Sequence, residues 1–391
     1  MGQGEHGLLE KIEVWEFGVR RYGCGVKYGS DPLTERGRSA GRQGRVSLFS
    51  GSFLLPLSLI PIIFLAAFLT SGIGAYKISY EAILRIWASV IDPSWAQGID
   101  DTVRYIVLNV RLARVCLALI VGGALALAGA VYQGVLLNPL ADPFTLGVST
   151  GAAFGASLAI LLGAGGVHFL SINALPVAAF AGAILALYMV YLLGRVDGRI
   201  QTTTLVLAGI IVSTFLSAWI SLLKSLNEDS ISTIVFWIMG SFSGKSWIHV
   251  LLVAPYLLLG AGVILAYARE LDILSLGDIQ AQQLGVNVQR MRFWLLLAAS
   301  FITAAAVAVS GVIGFVGLVV PHLVRLGLGP QHRRLLPAVI LAGALLVLIS
   351  DTLARSILPG GEELPVGVVT AILGGPFFCF LLLHRKKYLQ L

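Results

Sequence analysis

Residues 112–136 read LARVCLALIVGGALALAGAVYQGVL, an apolar run in which Arg114 is the only charge. An α-helix rises about 1.5 Å per residue and needs about 20 apolar residues to cross a hydrocarbon layer of about 30 Å. This run is long enough, so it predicts a membrane span. Gly122, Gly123, Ala126, Gly129 and Ala130 put small residues on its faces, a pattern that lets helix backbones approach closely in a bilayer.

Working outward, similar stretches lie near 48–71, 144–165, 174–194, 203–223, 248–268, 293–311, 335–354 and 365–384, with a shorter one at 313–327. About ten spans result. Gly311, Gly314, Gly317 and Pro321 interrupt what would otherwise be one long tract, which makes the seventh and eighth spans the hardest to separate. Gly147, Gly151 and Gly155 form a second small-residue face. Composition agrees: of 391 residues 57% are hydrophobic and only 12% charged, against about 25% charged in soluble domains. The mean hydropathy is +0.89. So few charges cannot cover a soluble surface around so apolar a core, which excludes a set of globular domains.

The 27 Lys and Arg decide orientation. Eight lie in residues 1–46, a polar segment read as a disordered cytoplasmic extension. The first apolar run begins only at Leu48, too far in for a signal peptide, and reads as an uncleaved anchor. With an even number of spans, this tail, Arg385, Lys386, Lys387 and the loops carrying Arg195, Arg199, Arg269, Arg290, Arg292, Arg325, Arg333 and Arg334 share one side. Nineteen cations fall there and eight on the other side, so both termini are expected in the cytoplasm. Arg104, Arg111 and Arg114 form an outside cluster that this rule disfavours. The net charge of +7 therefore describes topology, and nucleic-acid binding is set aside.

Three segments do not span. Residues 77–110 include 78–87, which predict a short helix on the outer surface, and residues 226–247 include Ile231 to Gly240, apolar but too short to cross. Residues 269–292 form the long inside loop, with Ile273, Leu274, Leu276, Ile279 and Leu284 interleaved with Asp278, Gln280, Gln282 and Gln283. Two short amphipathic helices hinged at Gly277 satisfy that pattern and offer a docking surface.

Several chemistries are excluded by spacing. Gly240-Ser-Phe-Ser-Gly-Lys-Ser246 has three residues rather than four before Gly-Lys-Ser and no preceding strand, so it is not a phosphate-binding loop. The six His are scattered, with no i, i+4 pair for a metal. Cys24, Cys116 and Cys379 are far apart and make no disulfide framework. No nucleophile elbow is visible. Asp351 and Arg355 share a face of the ninth stretch, where an internal ion pair and an outward role for Arg355 both fit.

Arg111-Leu-Ala-Arg114, Gly129-Ala-Val, Asn138-Pro-Leu-Ala-Asp-Pro143, Leu146-Gly-Val-Ser-Thr-Gly151, Trp237-Ile-Met-Gly-Ser-Phe-Ser-Gly244, Leu284-Gly-Val286, Gly314-Phe-Val-Gly-Leu-Val-Val-Pro-His322, His332-Arg-Arg-Leu-Leu-Pro337, Glu363-Leu-Pro-Val-Gly-Val-Val-Thr370 and Gly374-Gly-Pro-Phe-Phe378 follow one another along the chain. Taken together they resemble the FecCD family, the permease subunits of ABC importers for iron-siderophore, haem and vitamin B12. The resemblance covers roughly residues 50–388.

It implies an all-α polytopic membrane protein with the type II ABC importer permease fold, its ten-helix domain at 47–388. It also implies a homodimer with its pathway on the two-fold axis, a cytoplasmic ATP-binding subunit beneath and an extracytoplasmic solute-binding protein above. The chain itself would be no enzyme and would bind no cofactor or metal, ATP and Mg residing on the partner. Arg111, Arg114 and Arg355 match positions that meet Glu residues of the binding protein, although Ala113 stands where Pro is usual. Asn138, Leu140, Thr202 and Thr203 match the cytoplasmic gate. Leu276, Gly277, Ala281, Leu284 and Gly285 match the ATPase-coupling loop, with the small residues letting a partner's cleft close over the helices.

The expected function is ATP-driven import of a metal chelate through the plasma (inner) membrane, with ferric siderophore first and vitamin B12 or haem second. A secondary transporter would need coupling-ion carboxylates in mid-membrane, and the spans offer almost none. A polytopic membrane enzyme would need clustered His or acids at one face.

Overall fold

The computed structural model describes residues 54–74, 76–164, 174–196, 198–358 and 361–389. The polar extension at 1–46 and the start of the first apolar stretch lie outside the described residues. The chain opens with α1 (Leu54–Gly72), the surface helix α2 (Tyr80–Ala88) and the short α3 (Asp101–Tyr105). A π-helical turn, Ile106–Arg111, carries α3 without a break into α4 (Leu112–Val135). There follow α5 (Val148–Ala164), α6 (Ala174–Leu193), a two-residue hairpin of β1 (Arg195–Val196) and β2 (Arg199–Ile200), and α7 (Thr202–Leu226). After α8 (Ile231–Ile238) and α9 (Trp247–Ala266) come α10 (Ala268–Leu274) and α11 (Asp278–Gln283). The chain closes with α12 (Val288–Ser310), α13 (Val316–Leu328), α14 (His332–Ser356) and α15 (Val366–Leu389).

Six helices are long and apolar enough to cross a membrane, and α1, α5, α13 and α15 carry shorter apolar stretches. A helix thus stands on every apolar stretch read from the sequence. The uncertain tract at 293–327 divides at 311–315, where Gly311 and Phe315 both take positive φ. A side chain on Gly311 would collide with the Trp237 carbonyl, so the break between α12 and α13 is packed against the end of α8.

Burial identifies the centre. The span containing α4 is 83% buried, against 33% for α6 and α7 and 22% for α9. Glycine makes this possible. A Cβ on Gly129 would lie 2.1 Å from the Gly317 carbonyl oxygen, and one on Gly122 would lie 2.3 Å from that of Gly343. α13 and α14 therefore lie directly on the α4 backbone, as the small-residue pattern requires. The run at 151 and 155 does the same for α5 against Gly182 and Ala178 of α6.

The continuous helix from Asp101 to Val135 differs from the span starting at 112 read from the sequence. Its physical basis is Ala113. A Pro at that position would lack the N–H that a helix interior requires, whereas Ala113 is buried within an unbroken helix.

Candidate functional site

α4 and α14 run antiparallel, so the molecule has two functional ends: one holding Gly134, His332 and Gly277, the other holding Arg114 and Asp351. At the first end α10 and α11 flank Gly277, whose φ of 107° is one that L side chains rarely adopt. α10 is tied down firmly. Asp272 accepts hydrogen bonds from the His332 backbone N–H at 2.8 Å and pairs with His332 Nδ1 at 2.7 Å. Burial alone would raise the Asp272 carboxyl, but the bonds from His332 outweigh it and hold the group below its ordinary range. Leu271 is fully buried and packs beside Gly134.

α11 presents a different surface. Leu276 is 60% exposed, Ile279 70% and Leu284 61%, an apolar group standing in water among Asp and Gln side chains. Gly285 is open, with nothing near the place a Cβ would occupy. Ala281 is fully buried. Its small size serves packing beneath α11, which corrects the expectation that it faces a partner's cleft.

The start of α7 lies beside α11. Thr202 and Thr203 line a cavity of about 480 Å³ together with Gln201, Asp278, Gln282, Gln289 and Arg292. Thr203 is exposed and Thr202 half-buried. Gln201 occupies the N-cap without making a side-chain cap bond. Asn138 and Leu140 belong to the loop after α4 and do not line that cavity. Leu140 is exposed, and its N–H donates to Asn138 Oδ1 at 2.9 Å, a local turn that presents the Leu side chain. In the same loop Asp142 is buried and accepts from the N–H groups of Phe144 and Thr145 at 3.1 and 3.0 Å. Burial pushes its carboxyl up to about 6 in spite of those bonds.

At the opposite end the three predicted docking arginines come together but turn inward. Arg114 Nη2 and Nε donate to Asp351 at 2.8 and 3.1 Å, and Nη1 donates to Glu363 at 2.9 Å. Arg355 lies 3.2 Å from Asp351 Oδ2 and donates to the Ile73 carbonyl at 2.7 Å. Arg111 donates to the Ser71 carbonyl at 2.6 Å and to that of Tyr76. These carbonyls belong to the end of α1 and the turn after it, where helix oxygens lack intrahelical partners and cations are favoured. Asp351 is completely buried. In this arrangement all three guanidiniums are engaged within the chain, and withdrawing one would strand a buried carboxylate or a helix end. Both readings of the Asp351–Arg355 pair left Arg114 out, because only the packing of α4 on α14 brings it within reach.

Sequence reasoning missed Gln289 and Arg292. The only signal was that Arg292 closes the inside loop at 269–292, where it reads as one more inside cation. The segment 240–246 carries no nucleotide site geometry: a helix, α8, precedes it, and Ser241 N–H donates to the Ser310 carbonyl at 2.8 Å.

Comparison with known proteins agrees with this architecture. The FecCD transport family matches residues 62–384. A cobalamin import system permease protein of Halobacterium salinarum is 44% identical over 289 residues, covering 74% of this chain and 76% of that protein. A hemin transport system permease protein of Yersinia pestis is 39% identical over 331 residues, covering 84% and 95%. Among solved structures, a transporter described as of metal-chelate type, in an inward-facing conformation, aligns with a TM-score of 0.74 at 33% identity, covering 85% of this chain and 99% of that one. A chain of apolar helices with exposed Leu276, Ile279 and Leu284 at one end, a buried ion network at the other and this likeness along most of its length belongs to the FecCD transport family, as a membrane-spanning permease subunit of an ABC importer whose ATP hydrolysis resides on a separate subunit.

Proposed function

We propose that this permease imports a metal chelate, ferric siderophore in the first instance and haem or cobalamin otherwise, as a homodimer in the inner (plasma) membrane with both termini cytoplasmic. The observation that carries the mechanism is the shared cavity of Thr202, Thr203, Asp278 and Gln282. A gate at the start of α7 stands against the helix a cytoplasmic partner would push. Leu276, Ile279 and Leu284 form the apolar contact for the ATP-binding subunit, with Gly277 and Gly285 giving the loop its turns and Mg and ATP bound on the partner. Asn138 and Leu140 supply the second half of the gate, where a small polar residue and a Leu plug part without breaking strong bonds.

α7 also supports the dimer reading. Thr214, Ser217, Ser221 and Ser225 are exposed along it, a hydroxyl row on a membrane helix that fits a pathway between two copies. The solute-binding protein would meet the face around α2, through exposed cations such as Lys77 and Arg104 rather than the buried arginines. A secondary transporter would need a free coupling group in mid-membrane: among the described residues of α1, α4–α7, α9 and α12–α15 the only carboxylate is Asp351, and Arg114 and Arg355 occupy it.

Proteoliposomes containing this chain, candidate ATP-binding subunits and the binding protein test the proposal. Uptake of radiolabelled ferric siderophore is expected only with ATP on the partner's side. Uptake without ATP overturns the importer mechanism, and ATP-dependent uptake of haem or cyanocobalamin alone overturns the substrate.

A further inference from the structure

We infer that Arg292 is the positioning residue that transmits movement of α11 to the start of α7, by holding Asp278 with one arm and the Ile200 carbonyl with the other. This rests on the proposed roles of α11 as docking surface and Thr203 as gate.

Arg292 lies in the second turn of α12 and is almost wholly buried. Its Nη2 donates to Asp278 Oδ1 at 2.8 Å, and its Nη1 donates to the Ile200 carbonyl at 3.1 Å. One turn earlier, Gln289 Oε1 accepts from the Ile200 N–H at 2.8 Å. Both sides of this residue's backbone are therefore gripped from α12. Ile200 ends β2 and lies two residues before α7, and no side-chain cap fixes the helix start there. The position of Thr202 and Thr203 is set by this grip.

The two helices around Gly277 differ in what holds them. α10 is fixed to α14 through Asp272 and His332, whereas α11 connects through Asp278 to Arg292. A load on α11 therefore turns at Gly277 and reaches Arg292 first. The Asp278 side chain is 44% exposed, so a partner covering Ile279 and Leu276 would exclude water from the ion pair and strengthen it. Arg292 Nε is buried without a hydrogen-bond partner.

The test uses the complex with its ATP-binding subunit in lipid nanodiscs, with Cys24→Ser, Cys116→Ser, Cys379→Ser and Thr203→Cys. The rate of Thr203→Cys labelling by a membrane-impermeant maleimide is measured with and without ATP and vanadate, alongside ATP hydrolysis. The background protein is expected to show an ATP-driven change of about fivefold or more. Arg292→Lys, which keeps the charge but loses the fork, and Asp278→Asn, at a half-exposed position, should each abolish that change while hydrolysis by the partner persists. Asp278→Glu should restore it. Retention of the full change in both Arg292→Lys and Asp278→Asn overturns the inference, as does loss of labelling change and hydrolysis together, which marks a merely structural role. Absence of any ATP-driven change in the background protein overturns the gate reading itself.

Discussion

At Asp351 three formal charges converge in a buried place: its own carboxylate and the guanidiniums of Arg114 and Arg355. Removing one member of such a set leaves the others desolvated and unpaired, which costs about 3–5 kcal/mol. Asp351→Asn is therefore expected to lower the unfolding midpoint in detergent strongly, and an unchanged midpoint would contradict the inward-facing network. Asp142 behaves in the opposite sense. Its carboxyl stands at about 6 in the folded chain against 3.8 in the ordinary state, so between those values the folded form holds the proton more tightly. Stability conferred by the neutral carboxyl is complete below about pH 4 and declines as pH rises to about 6, by roughly 2–3 kcal/mol. Asp142→Asn keeps an acceptor for the Phe144 and Thr145 N–H groups and removes the charge. It should melt higher than the parent at pH 7 and equally at pH 4. Legibility differs between the two. The Asp351–Arg355 pair was readable from i, i+4 spacing, whereas the partner from α4 and the burial of Asp142 were not, because spacing along one helix carries no information about a neighbour remote in sequence.

At the scale of elements, apolar length located a helix for each apolar stretch among the described residues, six of them long enough to span, and small residues located the close contacts. Gly129 illustrates the force of that constraint. A Cβ there meets the backbone of Gly317 at 2.1 Å, and backbone cannot rotate away as a side chain can. Gly129→Ala must part α4 from α13, with an expected loss of about 1–3 kcal/mol or more. Gly262 in α9 has no atom within 4 Å of the added methyl group, and Gly262→Ala should be neutral or slightly stabilising through helix propensity. Equal effects in detergent unfolding would show that helix propensity, not backbone approach, governs both. The helix pair at 269–292 was legible from its alternation of apolar and polar residues. The identity of its outward face was not: Leu276 and Leu284 are exposed and Ala281 is buried, and a six-residue helix gives too short a period to separate its two sides.

For the whole molecule, the chain's composition, the length of its apolar runs and the order of its motifs determined the membrane setting, the all-α class and the family. These properties are set by transfer of side chains and backbone into lipid, residue by residue, and so can be summed along a sequence. Tertiary structure alone decided which arginines are spent inside the fold, that α4 forms its centre, and that Arg292 joins the Gly277 loop to the start of α7. Each depends on groups far apart in sequence meeting at hydrogen-bond distance, where desolvation makes pairing compulsory. A sequence displays the charges that must be paired, but only packing selects their partners.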